Sequence, residues 1–147
     1  IEIIREKGRI FFWKTAIKPG RPLAIGQINK TIIVCLPGNP VSVHLLYGMI
    51  IKPFLEFLCS SKMTMPNGYI AKANFSMKKK TERLEWLRVV IDKTIDSETY
   101  VNKYLKQGSG IISSISFSDG IIEIPENVNK IVVGDKFKLY LFSELFN

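Results

Sequence analysis

Residues 31–58 read TIIVCLPGNPVSVHLLYGMIIKPFLEFL, and this stretch decides the fold. Thr31 to Leu36 is an unbroken apolar run, which predicts a strand covered on both faces. Pro37-Gly38-Asn39-Pro40 stops it, and an apolar helical stretch follows from Val41 to about Leu58. Asn39 suits the N-cap and Pro40 the first helical position. Pro53 predicts a kink near Ile51–Lys52. Strand, glycine-containing loop and helix start, in that order, is the arrangement in which α/β proteins bind ligands beyond the carboxyl end of a strand. The free N–H groups of such a loop and helix start favour an anion. Gly38 admits a close ligand and a positive φ. A plain strand-to-helix connector uses the same letters, so the loop alone does not decide function.

Upstream, GRIFFWKTAI (8–17) is rich in β-branched and aromatic residues and predicts one strand from Gly8 to Ile17. Alternation then puts Phe11, Trp13, Thr15 and Ile17 on one face and Phe12, Lys14, Ala16 and Lys18 on the other. Lys14 and Lys18 would lie about 13 Å apart along it. Lys18-Pro19-Gly20-Arg21-Pro22 predicts a tight turn. A short strand from Leu23 to Ile28 and a turn at Asn29-Lys30 lead back to Thr31. Lys14, Lys18 and Arg21 could thus line one cleft with the Pro37–Pro40 loop. Two surface lysines are the plainer reading of the first pair.

Downstream, SSKMTMPNG (60–68) is polar and turn-rich and predicts a boundary. Residues 1–60 are expected to be α/β and residues 61–147 all-β. Alternating runs at Tyr69–Met77 and Leu84–Asp92, with strands at Ile121–Ile124 and Phe137–Phe142, predict a small barrel. Gly108-Ser109-Gly110 opens a brief helix over residues 111–118, with Ser109 as its expected cap. Arg88 lies in a barrel strand with Arg83 nearby. His44, the only histidine, reads as a core or interface residue.

Composition narrows the function classes. The 147 residues carry a net charge of +8 and are 46% hydrophobic. The surplus charge fits nucleic acid, a small anionic substrate or a solvated surface. The only basic run is Lys78-Lys79-Lys80, and the aromatics sit in strand patterns, which argues against nucleic acid. Cys35 and Cys59 lack metal-ligand spacing, and a reducing cytoplasm is the simple expectation. Lys52 and Pro53 interrupt the longest apolar run, so no membrane span is expected. No nucleophile triad, metal cluster, Walker loop or Rossmann glycine pattern is present. The chain opens on Ile1, within a charged and hydrophobic segment, as if cut from something longer.

GRIFFWKTAIKPGRPLAIG followed by the LPGNP segment resembles the molybdopterin molybdotransferases: bacterial MoeA, its plant counterpart and the gephyrin E-domain. ERLEWLRVVI (82–91) and QGSGIISSISFSDGIIEIPENVNKIVVGDKFKLYLF (107–142) resemble that family's C-terminal barrel. The likeness implies insertion of molybdate into adenylylated molybdopterin with release of AMP. It implies that residues 1–60 belong to a MogA-like three-layer α/β domain. It implies catalytic roles for Lys14 and Lys18, and substrate contacts from Arg21, Pro37, Gly38, Asn39, Pro40, Ser42, Arg88 and Ser109. Arg21 stands where the family commonly has lysine, which keeps the charge and changes the donor geometry. A magnesium ion is implied, with carboxylate ligands in family segments that have no counterpart here. A homodimer and contact with the molybdopterin adenylyltransferase are implied, but no nucleic acid and no membrane. The alternative is a non-catalytic protein-binding module of the gephyrin kind.

Overall fold

The computed structural model describes residues 1–80, 82–108 and 110–146. Helix α1 (Glu2–Lys7) leads into β1 (Arg9–Trp13), β2 (Ile17–Lys18), β3 (Ala24–Ile28) and β4 (Thr31–Cys35). β3 and β4 form a hairpin across Asn29-Lys30, with Asn29 at φ 53°. A short polar side chain tolerates that left-handed conformation. β1 pairs antiparallel with the other side of β3, giving a sheet in the order β1-β3-β4.

This antiparallel sheet replaces the expected MogA-like three-layer α/β unit, which is not seen here. The physical reason lies in the connections. A two-residue turn returns a strand antiparallel, whereas parallel neighbours need a crossover of about a dozen residues or more. β4 is half-buried, not covered on both faces. The single strand expected over Gly8–Ile17 also ends early, because Lys14 takes φ 70° and breaks the extended backbone. The alternation that put Lys14 and Lys18 on one face therefore does not hold. Phe11, Phe12 and Trp13 all stay at least 40% exposed, so neither face of β1 is covered.

The helical run comprises α2 (Pro40–Leu46), one π turn (Tyr47–Ile51) and α3 (Lys52–Ser60). Pro53 has no N–H to donate and its ring crowds the preceding turn. The wider π turn immediately before it takes up that defect. The helix therefore bends but does not stop. At 21 residues and mean hydropathy 1.4, Pro40–Ser60 is long and apolar enough to cross a membrane by length and composition alone. That corrects the expectation that Lys52 and Pro53 cut it short. Here Leu45, Leu46, Met49 and Ile51 of the run are buried in a core with Leu23, Trp86, Ile121, Tyr140 and Leu145. The core thus joins the helix to the second half of the chain.

That half contains β5 (Tyr69–Ala73), β6 (Met77–Lys78), β7 (Leu84–Ile95), β8 (Glu98–Lys103), α4 (Ser113–Ser116), β9 (Gly120–Ile124), β10 (Lys130–Ile131), β11 (Lys136–Leu141) and α5 (Phe142–Leu145). The ladder runs β7-β8-β5-β11-β9 and closes through β9–β7, so the small barrel expected from the alternating segments is present. Strand period two explains its two sides. Leu87 and Val89 of β7 face the interior with Ala71, Val101, Ile122 and Leu139. Trp86 faces out, into the core shared with the helix. β2 extends the barrel sheet by pairing parallel to the start of β7. β8 was not foreseen. Its hairpin turns through Asp96 and Ser97, both at positive φ, without the glycine that usually marks such a turn.

Helix α4 starts at Ser113 with Ile112 in the N-cap position. Ser109 itself lies outside the described residues. One lysine of the basic run is not solvated: Lys79 is buried and donates to the carbonyls of Pro125 and Glu126.

His44 on α2 packs against Phe142 and Phe146, at 5.7 and 4.0 Å between ring centres. Burial holds its pKa below the ordinary imidazole value. A histidine with a lowered folded pKa leaves stability intact above its unfolded pKa, about 6.5, and removes it as pH falls through the interval below. The expected result is a melting temperature that drops between pH 7.5 and pH 5 by a smaller amount in His44→Leu. An equal drop in both proteins would refute this.

Candidate functional site

The register of two strands builds the site. β2 lies parallel to β7 with Lys18 beside Glu85. Lys18 Nζ donates to Glu85 Oε1 at 2.9 Å. Lys18 remains 42% exposed in its side chain, while Glu85 is 7% exposed. Between β7 and the start of α2 lies a cleft of about 490 Å³. Lys18, Pro19, Gly20, Arg21 and Pro22 line one side, and Pro37, Asn39 and Ser42 another. Arg83, Glu85, Trp86, Arg88, Gln107 and Gly108 complete it from the barrel.

The helix start is held as the sequence predicted. Asn39 is the N-cap, Pro40 opens the helix, and Ser42 N–H donates to Asn39 Oδ1 at 3.3 Å. That bond removes one of the free N–H groups at the helix start. Gly38 is not among the residues at positive φ, so that part of its expected role is not met. A side chain there would meet nothing within 4 Å, so the backbone at Gly38 borders open space. Gly20 is where glycine is demanded: φ is 138°, and an added Cβ would come within 2.9 Å of Leu46.

Arg88 is the most deeply buried charge, at 1% exposure. Its Nη2 donates to the carbonyl of Gly108 at 3.5 Å, at the long limit of a hydrogen bond. Its Nε has no partner among the described residues. Burial lowers its pKa and Glu85 opposes that shift, yet a guanidinium stays charged at any working pH. Gln107 fixes the backbone here. It accepts from Arg88 N–H at 3.2 Å and donates to the carbonyls of Arg88 and Tyr104, each at 2.7 Å.

The structure thus brings Lys18, Arg21, Pro37, Asn39, Ser42 and Arg88 together around one cavity. Lys14 is not among the lining residues; its ammonium lies 4.4 Å from the centre of the Trp13 ring, in a cation–π contact. Pro40 opens the helix behind the cleft wall. Glu85, Arg83 and Gln107 were not singled out as site residues from sequence. Glu85 is found only through the β2–β7 register, and Gln107 through its grip on a neighbouring strand. Among the described residues no three His, Cys, Asp or Glu side chains gather as a metal site. The charged side chains of the cleft are four cations and one carboxylate, Glu85, which Lys18 already engages, and this set does not suit a magnesium ion.

A closed small barrel packed on its outer side against a helix, and facing that helix's capped start across a cation-lined cleft, defines the class. Residues 71–142 match the family described as MoeA C-terminal region (domain IV), and this part of the chain belongs to that family. It is 28% identical to the molybdopterin molybdenumtransferase of Haemophilus influenzae, over 97% of this chain and 36% of that one. It is 33% identical to a protein named for molybdopterin biosynthesis in Methanocaldococcus jannaschii, over 96% and 32%. The crystal structure of a molybdopterin biosynthesis MoeA protein from Pyrococcus superposes with a TM-score of 0.76 at 27% identity, covering 96% of this chain and 34% of that one. The chain therefore spans about a third of the curated relatives it matches.

Proposed function

We propose that this chain serves molybdenum cofactor biosynthesis by supplying the basic wall of a site that inserts molybdate into adenylylated molybdopterin and releases AMP. The observation that carries the reading is the single cleft in which Lys18, Arg21, Arg83 and Arg88 face the capped start of α2. Cations and fixed dipoles held in place before the reaction stabilise oxyanions without reorganising. No side chain of the cleft is a credible nucleophile. That suits a metal insertion, whose main demand is positioning. Acidic groups for the reaction would come from parts of the parent protein outside this chain.

Lys18 and Lys14 carry different weights in this proposal. Lys18 touches the cleft, while Lys14 adds only a longer-range field. In the full-length parent protein, Lys18→Ala is expected to lower cofactor yield from adenylylated molybdopterin by about tenfold or more, from one lost charge-assisted contact. Lys14→Ala should lower it severalfold less. The measurement is reconstitution of a molybdenum-dependent apoenzyme with the product. Unchanged yield in Lys18→Ala would remove the proposal.

A further inference from the structure

Strand β7 has a gap along one edge. β2 pairs with it at Leu84 and Glu85, and β8 joins only at Val89. Among the described residues no strand lies between them on that edge, beside Trp86, Leu87 and Arg88, while β9 runs along the other edge from Glu85 to Val89. The buried N–H and C=O of Arg88 still require partners.

Gln107 supplies them. Its carboxamide has one acceptor and two donor hydrogens, the set a strand's peptide groups would offer. It accepts from Arg88 N–H at 3.2 Å and donates back to the Arg88 carbonyl at 2.7 Å. It also donates to the Tyr104 carbonyl at 2.7 Å, and Tyr104 N–H returns to the Arg88 carbonyl at 3.0 Å. Glutamate could accept the one N–H but would set an oxygen against two carbonyls.

This clamp seats a loop over Arg88. One residue on, the Gly108 carbonyl accepts from Ile111 N–H at 3.2 Å and from Arg88 Nη2 at 3.5 Å. The second bond is too long to aim the guanidinium unaided. Its direction therefore follows the loop, and the loop follows Gln107. A long cation that is free to change rotamer must be ordered when a ligand arrives, whereas one fixed beforehand need not be.

We infer that Gln107 is a positioning residue: it stands in for the missing strand at the gap in β7 and so holds the loop that fixes the Arg88 guanidinium in the cleft wall. This deepens the proposed function and rests on it, since the clamp matters only if Arg88 acts on an oxyanion there. Gln107 needs no contact with the ligand.

The test uses the full-length parent protein with inorganic molybdate as the probe, titrated by calorimetry in wild type, Gln107→Met, Arg88→Met and the double variant. Methionine keeps the volume and removes the hydrogen bonds. Gln107→Met should bind molybdate about five- to tenfold more weakly, in keeping with one long side chain left to be ordered on binding. In the Arg88→Met background the same change should move affinity by less than about twofold, because sites that act through one another are not additive. An equal loss in both backgrounds marks a merely structural role and overturns the inference, as does wild-type affinity in Gln107→Met. A second measurement needs no variant. Coupling is reciprocal, so saturating molybdate should slow hydrogen exchange at the Arg88 and Tyr104 amides of the wild type more than at Val101 in β8. Equal exchange with and without molybdate overturns the role of Gln107. If either result goes against Gln107 while Arg88→Met still loses molybdate, the oxyanion cleft stands. Wild-type protein that binds no molybdate, or Arg88→Met that binds it as tightly as wild type, overturns both readings.

Discussion

Arg88→Met should leave the protein as stable as before, or up to about 2 kcal/mol more stable, while its affinity for molybdate falls by about a hundredfold. The two halves of this expectation share one cause. Arg88 is 1% exposed, and among the described residues its guanidinium makes one long hydrogen bond, to Gly108, while its Nε has no partner. A buried ion with unmet donors costs several kcal/mol in desolvation, and replacing such an ion with an apolar side chain of similar volume is often neutral or stabilising. Glu85 would not be orphaned, because Lys18 holds it at 2.9 Å. The guanidinium is also one of the positive charges lining the cleft, so removing it weakens the attraction for an oxyanion there. Urea unfolding gives the first quantity and calorimetric titration the second. A loss of more than 3 kcal/mol would show that Arg88 is a structural partner of Glu85 and not a ligand group held ready. Sites that favour function over stability show this trade.

Trp86→Ala should cost about 3–5 kcal/mol, the range for truncating a buried large aromatic. Trp86 is 3% exposed and sits in the core that joins the helical run to the barrel, with Leu45, Leu46, Met49 and Tyr140. Its Nε1 also donates to Glu123 Oε2 at 3.1 Å. The interior of the barrel is a separate cluster and does not include it. The loss should therefore loosen the helix from the barrel before it opens the barrel. The expected result is one cooperative urea transition in the wild type, and in Trp86→Ala either a lower midpoint or two transitions. A midpoint unchanged within error would mean that the two halves do not depend on this contact. Since the cleft lies across the same junction, oxyanion affinity should fall with it.

The helix start was legible because its signals are local. Asn39 and Pro40 need only their own neighbours to cap and open α2, and both do so. The π turn before Pro53 follows from the missing N–H of that proline, at the place the kink was expected. The barrel was legible because alternation survives wherever one strand face is buried, as Trp86 and Leu87 show by packing into different cores. Two features defeated local reading. Lys14 looked like one more strand residue, and only its positive φ, held by hydrogen bonds from Lys14 and Thr15 to Leu23 and Arg21, ends the strand. The Asp96-Ser97 turn carries no glycine, so β8 was hidden.

What the amino-acid order determined by itself was short-range: the capped helix behind the LPGNP loop, the bend at Pro53, the turn at Asn29-Lys30, and the alternation that closes a barrel. Only the tertiary structure decided which charges meet. Lys18 reaches Glu85 because β2 lies beside β7, 67 residues later in the chain. Arg88 is buried because a loop carrying Gln107 and Gly108 folds over it. Backbone preferences act over a few residues, whereas a charge's surroundings depend on contacts between distant segments, and no local pattern encodes these.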